Sequence, residues 1–237
     1  MRLRVTSVAF FLIVLMIGAY SRSARAGWGT NSSAAQSDNK FVYADFERME
    51  DGRVVSNNGG QIQIYTAQES TPVKFKGLAD ASPGAPEIVR AKGDEMNHFA
   101  SFEYSLFGPN QWANVTMEIQ GHPFKDGKPV PDDVTAYKNL SLQLYATGVD
   151  YIRVEFMSRG QGINLDGGFP QVPLKLKPGL NTYLIPIKKL QQPGWQQQRV
   201  STIDVLKGLT AVTISAYCDQ CTPKNGTVAV DNLVFEK

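Results

Sequence analysis

Short runs in which apolar and polar residues alternate with a period of two recur along this chain, and they leave room for little but sheet. Leu140, Leu142 and Leu144 fall on one side of an extended backbone while Ser141, Gln143 and Tyr145 fall on the other. After Thr147, Gly148, Val149 and Asp150, the residues Ile152, Val154 and Phe156 repeat the pattern against Arg153, Glu155 and Met157. The pair reads as an antiparallel hairpin with one core face and one polar face. Runs of the same kind cover 99–107, 113–119, 180–187, 209–217 and 227–235, separated by Gly, Pro, Asn and Asp. Only 200–206, with Ser201 as a cap, suggests a short helix or turn. Many short strands without βαβ alternation predict an all-β fold, a single jelly-roll β-sandwich occupying residues 40–237.

The residues ahead of that domain read as an address. Arg2 and Arg4 precede a nearly unbroken apolar run over 8–20, and Ala24, Arg25 and Ala26 supply a small-x-small cleavage site. The run is shorter than the roughly 20 residues that a helix needs to cross a bilayer. Residues 1–26 are therefore expected to be a cleaved signal peptide, and 27–39, rich in Gly, Ser, Asn and Ala, a flexible leader. Cleavage removes four arginines and no acid, which turns the formal charge from +2 to −2. The mature chain then has no electrostatic case for nucleic acid, and no later stretch is long and apolar enough to span a membrane. The expected location is periplasmic or extracellular.

Cys218 and Cys221 form a C-x-x-C pair in a loop between two strand-like runs. A redox pair belongs at a helix N-terminus in a βαβ setting, and zinc asks for a second pair or for suitably spaced histidines. His98 and His122 are isolated. In an exported chain the pair reads as a disulfide pinching the tip of a hairpin, with free thiols as the alternative.

Four segments together resemble one family. They are Phe41 through Glu47, Tyr137 through Leu142 with the Gly148 turn, Tyr183 through Leu190 running into Gly194 and Trp195, and Gly226 through Phe235. In this order they resemble the galactose-binding-like jelly rolls, in particular the family-eleven carbohydrate-binding modules and the related complex I intermediate-associated domain. The resemblance implies a sandwich that binds a poly- or oligosaccharide on one sheet face without catalysis; the alternative it carries is a protein-interaction or assembly factor on the same scaffold. It also implies one structural calcium ion at Asp45, Glu47 and Asp231, where the terminal strands meet. These carboxylates would repel one another unless a cation or a basic residue bridged them, or they would simply be exposed or accept backbone hydrogen bonds.

A sugar-binding face needs flat aromatic surface against the apolar side of a pyranose ring and planar polar groups for its hydroxyls. Gln143 and Tyr145, beside Arg153 and Glu155 across the expected hairpin, supply both, with Tyr183 and Tyr217 as flanking candidates and Trp112 at a loop edge. Trp195 follows a Pro-Gly turn and reads as a core or rim aromatic as readily as a ligand contact. For catalysis, Glu118 with Glu155 is the only carboxylate pair on nearby expected strands, and it is a weak one. No nucleophile elbow, zinc-binding helix or phosphate-cradling glycine loop occurs in the sequence.

Overall fold

The computed structural model describes residues 39–51, 53–66, 98–106, 113–163, 165, 168–218 and 224–237. In chain order the strands are β1 (Lys40–Ala44), β2 (Met49–Glu50), β3 (Arg53–Val54), β4 (Ile62–Thr66), β5 (Ala100–Leu106), β6 (Ala113–Gln120), β7 (Asn139–Ala146), β8 (Tyr151–Met157), β9 (Gln171–Lys175), β10 (Asn181–Pro186), β11 (Ala211–Cys218) and β12 (Lys224–Glu236). A short α-helix, α1 (Thr202–Lys207), precedes β11. Ser201 caps it, its hydroxyl accepting from the Asp204 N–H at 3.4 Å, as its position before the run predicts.

Two five-stranded antiparallel sheets face each other in the all-β jelly-roll sandwich that the alternation predicts. The first runs β1-β12-β7-β10, with β5 on the same side of β12 as β1; the second runs β4-β6-β11-β8-β9. A small ribbon of β2 and β3 stands apart. Between the sheets, Phe235 of β12 packs on Phe41, Tyr43, Tyr137 and Phe156, with ring centroids 5.6 to 6.0 Å apart. Phe156 belongs to the second sheet, so this cluster ties the two layers together.

The expected hairpin of β7 and β8 does not form. β7 lies between β12 and β10 while β8 lies between β11 and β9, so the link from Thr147 to Asp150 carries the chain from one sheet to the other. Alternation records which side of a strand is buried and is silent about its neighbour. Two packed sheets are only about 10 Å apart, so a short link can cross between them as readily as it can turn within one. The crossing is pressed against β12. A Cβ on Gly148 would stand 2.3 Å from the Asn225 carbonyl oxygen, and one on Gly226 would stand 2.1 Å from that of Thr147. The Tyr104 hydroxyl donates to that same Thr147 oxygen, and Thr147 Oγ1 accepts from the Thr227 N–H at 3.0 Å.

Cys218 closes β11 in a buried position, while Cys221 lies outside the described residues. Among the described residues, no helix is long and apolar enough to cross a membrane. The crossing sets a test of its own. Gly226→Ala should lower stability by about 3 kcal/mol in urea unfolding, because the backbone oxygen it meets cannot rotate away. Gly194→Ala, with nothing within 4 Å, should change it by less than about 0.5 kcal/mol.

Candidate functional site

The outward face of the second sheet carries its polar residues in register. One row reads Gln63, Glu118, Thr213, Glu155 and Gln171 across β4, β6, β11, β8 and β9. The next reads Tyr65, Thr116, Ser215, Arg153 and Pro173. Each of these faces away from the core because its neighbours in the strand, such as Ile64, Met117, Ile214 and Val154, fill the space between the sheets. Thr116 and Ser215 share a hydrogen bond of 2.7 Å, and the Arg153 guanidinium lies 5.3 Å from the centre of the Tyr217 ring.

Two loops rise over the β4 and β6 end of this face. The segment after β6 brings in His122, Phe124 and Pro129; the segment after β8 brings in Arg159 and Gly160. They are joined where the Gln161 side chain donates to the Pro129 carbonyl at 3.2 Å and Gly160 packs on the Pro129 ring. Together with Gln63, Tyr65, Glu118, Gln120, Thr210 and Ala211 they enclose a pocket of about 210 Å³. Tyr65, His122 and Phe124 give it planar rings, and half of the Phe124 surface is open to solvent.

The charges beneath the pocket are held by protein partners. Glu118, almost wholly buried, pairs with Arg159 at 3.0 Å and accepts from the Gln120 amide at 3.2 Å. That leaves Gln120 Oε1, on a side chain only 7% exposed, as a buried acceptor with no partner, and Thr213 Oγ1 is in the same condition. His122 Nδ1 lies 3.1 Å from one Asp132 oxygen and 3.2 Å from the other. Burial raises the Asp132 pKa against the opposing pull of His122. Burial likewise raises that of Tyr65, which the Glu118 charge reinforces and the Arg159 guanidinium opposes. Glu155 is raised by burial as well, against Arg153, the Phe169 N–H that it accepts at 2.7 Å, and Arg159.

The residues expected from sequence divide among three places. Arg153, Glu155 and Tyr217 lie on this outward face, although Glu155 is buried there as a floor group. Gln143 and Tyr145 lie on the far side of the molecule, on the outward face of the first sheet, because β7 belongs to that sheet. Tyr183 pairs with Leu142, packs on the core and uses its hydroxyl to accept the Lys177 N–H at 2.8 Å, so it belongs to neither face. Trp112 lies outside the described residues. The face gains Gln63, Tyr65, Gln120, His122, Phe124 and Arg159. For Gln63 and Tyr65 the signal was available, since they alternate with Ile62 and Ile64; the loop residues carry no such period.

The three carboxylates proposed for calcium each turn to protein donors. Asp45 accepts from the Glu47 N–H at 3.1 Å and the Asn57 amide at 3.0 Å; Glu47 takes both the N–H and the ring nitrogen of His98 at 2.7 Å; Asp231 accepts the Asn232 N–H at 2.8 Å. Among the described residues no three of His, Cys, Asp and Glu gather around a point that could hold an ion.

No protein-family model matches the chain, and no curated protein does. Among solved structures, similar ones include the family 11 carbohydrate-binding module of the cellulosomal cellulase Lic26A-Cel5E of Clostridium thermocellum, 13% identical over 85% of this chain and 96% of that one, with a TM-score of 0.48. The family 11 module from Clostridium thermocellum in complex with a β-1,3-1,4-mixed-linked tetrasaccharide is 14% identical over 85% and 97%, with a TM-score of 0.47. An exo-β-agarase is 11% identical over 83% of this chain and 25% of its own, with a TM-score of 0.39. These are weak likenesses, and the sandwich stands on its own strand pairings.

The raised pKa of Glu155 has a sign that can be checked. A carboxyl whose folded pKa exceeds its unfolded one binds its proton more tightly when folded, so the fold loses stability as pH climbs through that window. Glu155→Gln, which keeps an acceptor for the Phe169 N–H, removes this dependence. The melting temperature of wild type relative to the variant should therefore fall as pH rises from the ordinary glutamate range to neutrality; a rise would contradict the burial argument.

Proposed function

We propose that the chain is an exported, non-catalytic carbohydrate-binding protein, and that a poly- or oligosaccharide lies on the outward face of its second sheet. The observation that carries this reading is the pocket over β4 and β6. Aromatic rings from Tyr65 and Phe124 border buried amide and carboxylate groups, among which Gln120 Oε1 is an acceptor without a donor. A sugar hydroxyl supplies such a donor, while the C–H face of the same ring stacks on an aromatic. Glu118 and Glu155 are both committed to protein donors, as groups that position a binding floor would be. Export through residues 1–26 and a Cys218–Cys221 disulfide belong to the same reading, since both suit a protein that works where polysaccharides are met.

Affinity electrophoresis of the mature chain through gels containing soluble polysaccharides tests it. Wild type should be retarded by at least one of them, and Tyr65→Ala and Phe124→Ala should each weaken retention by about tenfold. Tyr145→Ala, on the opposite sheet, should leave retention unchanged. Absence of retention on every polysaccharide, or a loss confined to Tyr145→Ala, would contradict the proposal.

A further inference from the structure

Trp195 is the most exposed large apolar side chain among the described residues, at 63%, yet the loop that holds it is tightly fastened. The Gln196 N–H closes a turn on the Pro193 carbonyl at 3.2 Å, and the Arg199 guanidinium donates to the Pro193 and Gly194 carbonyls at 3.3 and 3.4 Å. Gln192 spends its whole amide on the backbone, donating to the Gly168 and Gln198 carbonyls at 3.1 and 3.2 Å and accepting the Val200 N–H at 2.9 Å. Gln171 and Gln191 exchange backbone hydrogen bonds of 2.9 and 3.1 Å, which joins the start of the loop to β9. An exposed indole held this firmly has already lost the freedom that a ligand would otherwise have to remove.

The place of the ring gives it a ligand. A Cβ on Gly168, whose φ is +74°, would stand 2.8 Å from Trp195 Cη2, so the indole edge lies directly on the backbone of Gly168. The next residue, Phe169, donates its N–H to Glu155, a floor group of the row that also contains Glu118 and Gln63. Trp195 therefore stands at the β8 and β9 end of the same face whose β4 and β6 end carries the pocket. The two are separated by two to four strand spacings, roughly 10 to 19 Å. A single sugar ring cannot touch both.

Resting on the carbohydrate reading above, we propose that Trp195 is a second, aromatic subsite of this face, and that the ligand is an extended oligosaccharide segment of several rings running across the strands. The pocket holds one end through Tyr65, Phe124 and the unpartnered Gln120 oxygen. The indole of Trp195 stacks on a ring several units along the chain.

The test compares wild type, Trp195→Ala and Trp195→Phe by affinity electrophoresis in mixed-linkage β-glucan, laminarin, xylan and agarose. Isothermal titration then uses disaccharide and hexasaccharide fragments of whichever polymer retards the wild type. Trp195→Ala should weaken hexasaccharide binding by about tenfold while leaving disaccharide affinity and the melting temperature unchanged, and Trp195→Phe should recover most of the loss. Equal affinities for wild type and Trp195→Ala, or equal losses on both fragment lengths, would overturn the second subsite and leave the pocket standing. A wild type retarded by none of the four polymers would overturn both readings together.

Discussion

The pairing of β12 with three partners is the constraint on which the rest of the molecule depends. Its thirteen residues meet β5 along the first half, β1 along the second, and β7 on the opposite side. Between Asp231 and Val234 the ladder slips by a bulge at which Asn232 takes a left-handed conformation with φ of 52°, one that asparagine tolerates better than most residues. The bulge lets one strand serve two partners in line. Past it, Phe235 meets Phe156 of the second sheet edge to face, so aromatic packing joins the two layers there.

With its inner side committed to that core, the second sheet is left with an outward side that is polar but largely covered. Glu118, Thr213, Ser215 and Glu155 are buried although they point away from the core. Burying a charge is costly unless it is paired and hydrogen-bonded. Here Arg159 and Gln120 hold Glu118, while the Phe169 N–H holds Glu155. The result is a floor of fixed planar groups under a rim of rings, in which the side chains that would meet a ligand lose little freedom on contact. Burial raises the pKa of Tyr65, the Glu118 charge reinforces the rise, and the Arg159 guanidinium opposes it.

The sequence made the faces legible and the neighbours illegible. Alternation correctly separates Leu140, Leu142 and Leu144 from Gln143 and Tyr145, and Val154 from Arg153 and Glu155. It cannot say that the two strands belong to different sheets, because a crossing link and a turn of four residues contain the same kinds of residue. Tyr183 shares its parity with the buried Ile185, so its inward place is written in the pattern itself. His122, Phe124 and Arg159 come from loops without periodicity, and contacts between residues distant in sequence bring those loops over the sheet: Arg159 on Glu118 and Thr210, and Gln161 on Pro129. The cap at Ser201 was readable because a cap is a local interaction between residues three apart.

The central claim is that the outward face of the second sheet, and not that of the first, receives a glycan. Amide chemical-shift mapping of the mature chain during titration with a soluble oligosaccharide tests it most directly. Shifts should concentrate at Gln63, Tyr65, Glu118, Gln120 and Thr213, with the amides of Gln143, Tyr145 and Leu184 unmoved. Shifts gathered on Gln143 and Tyr145 instead would contradict it.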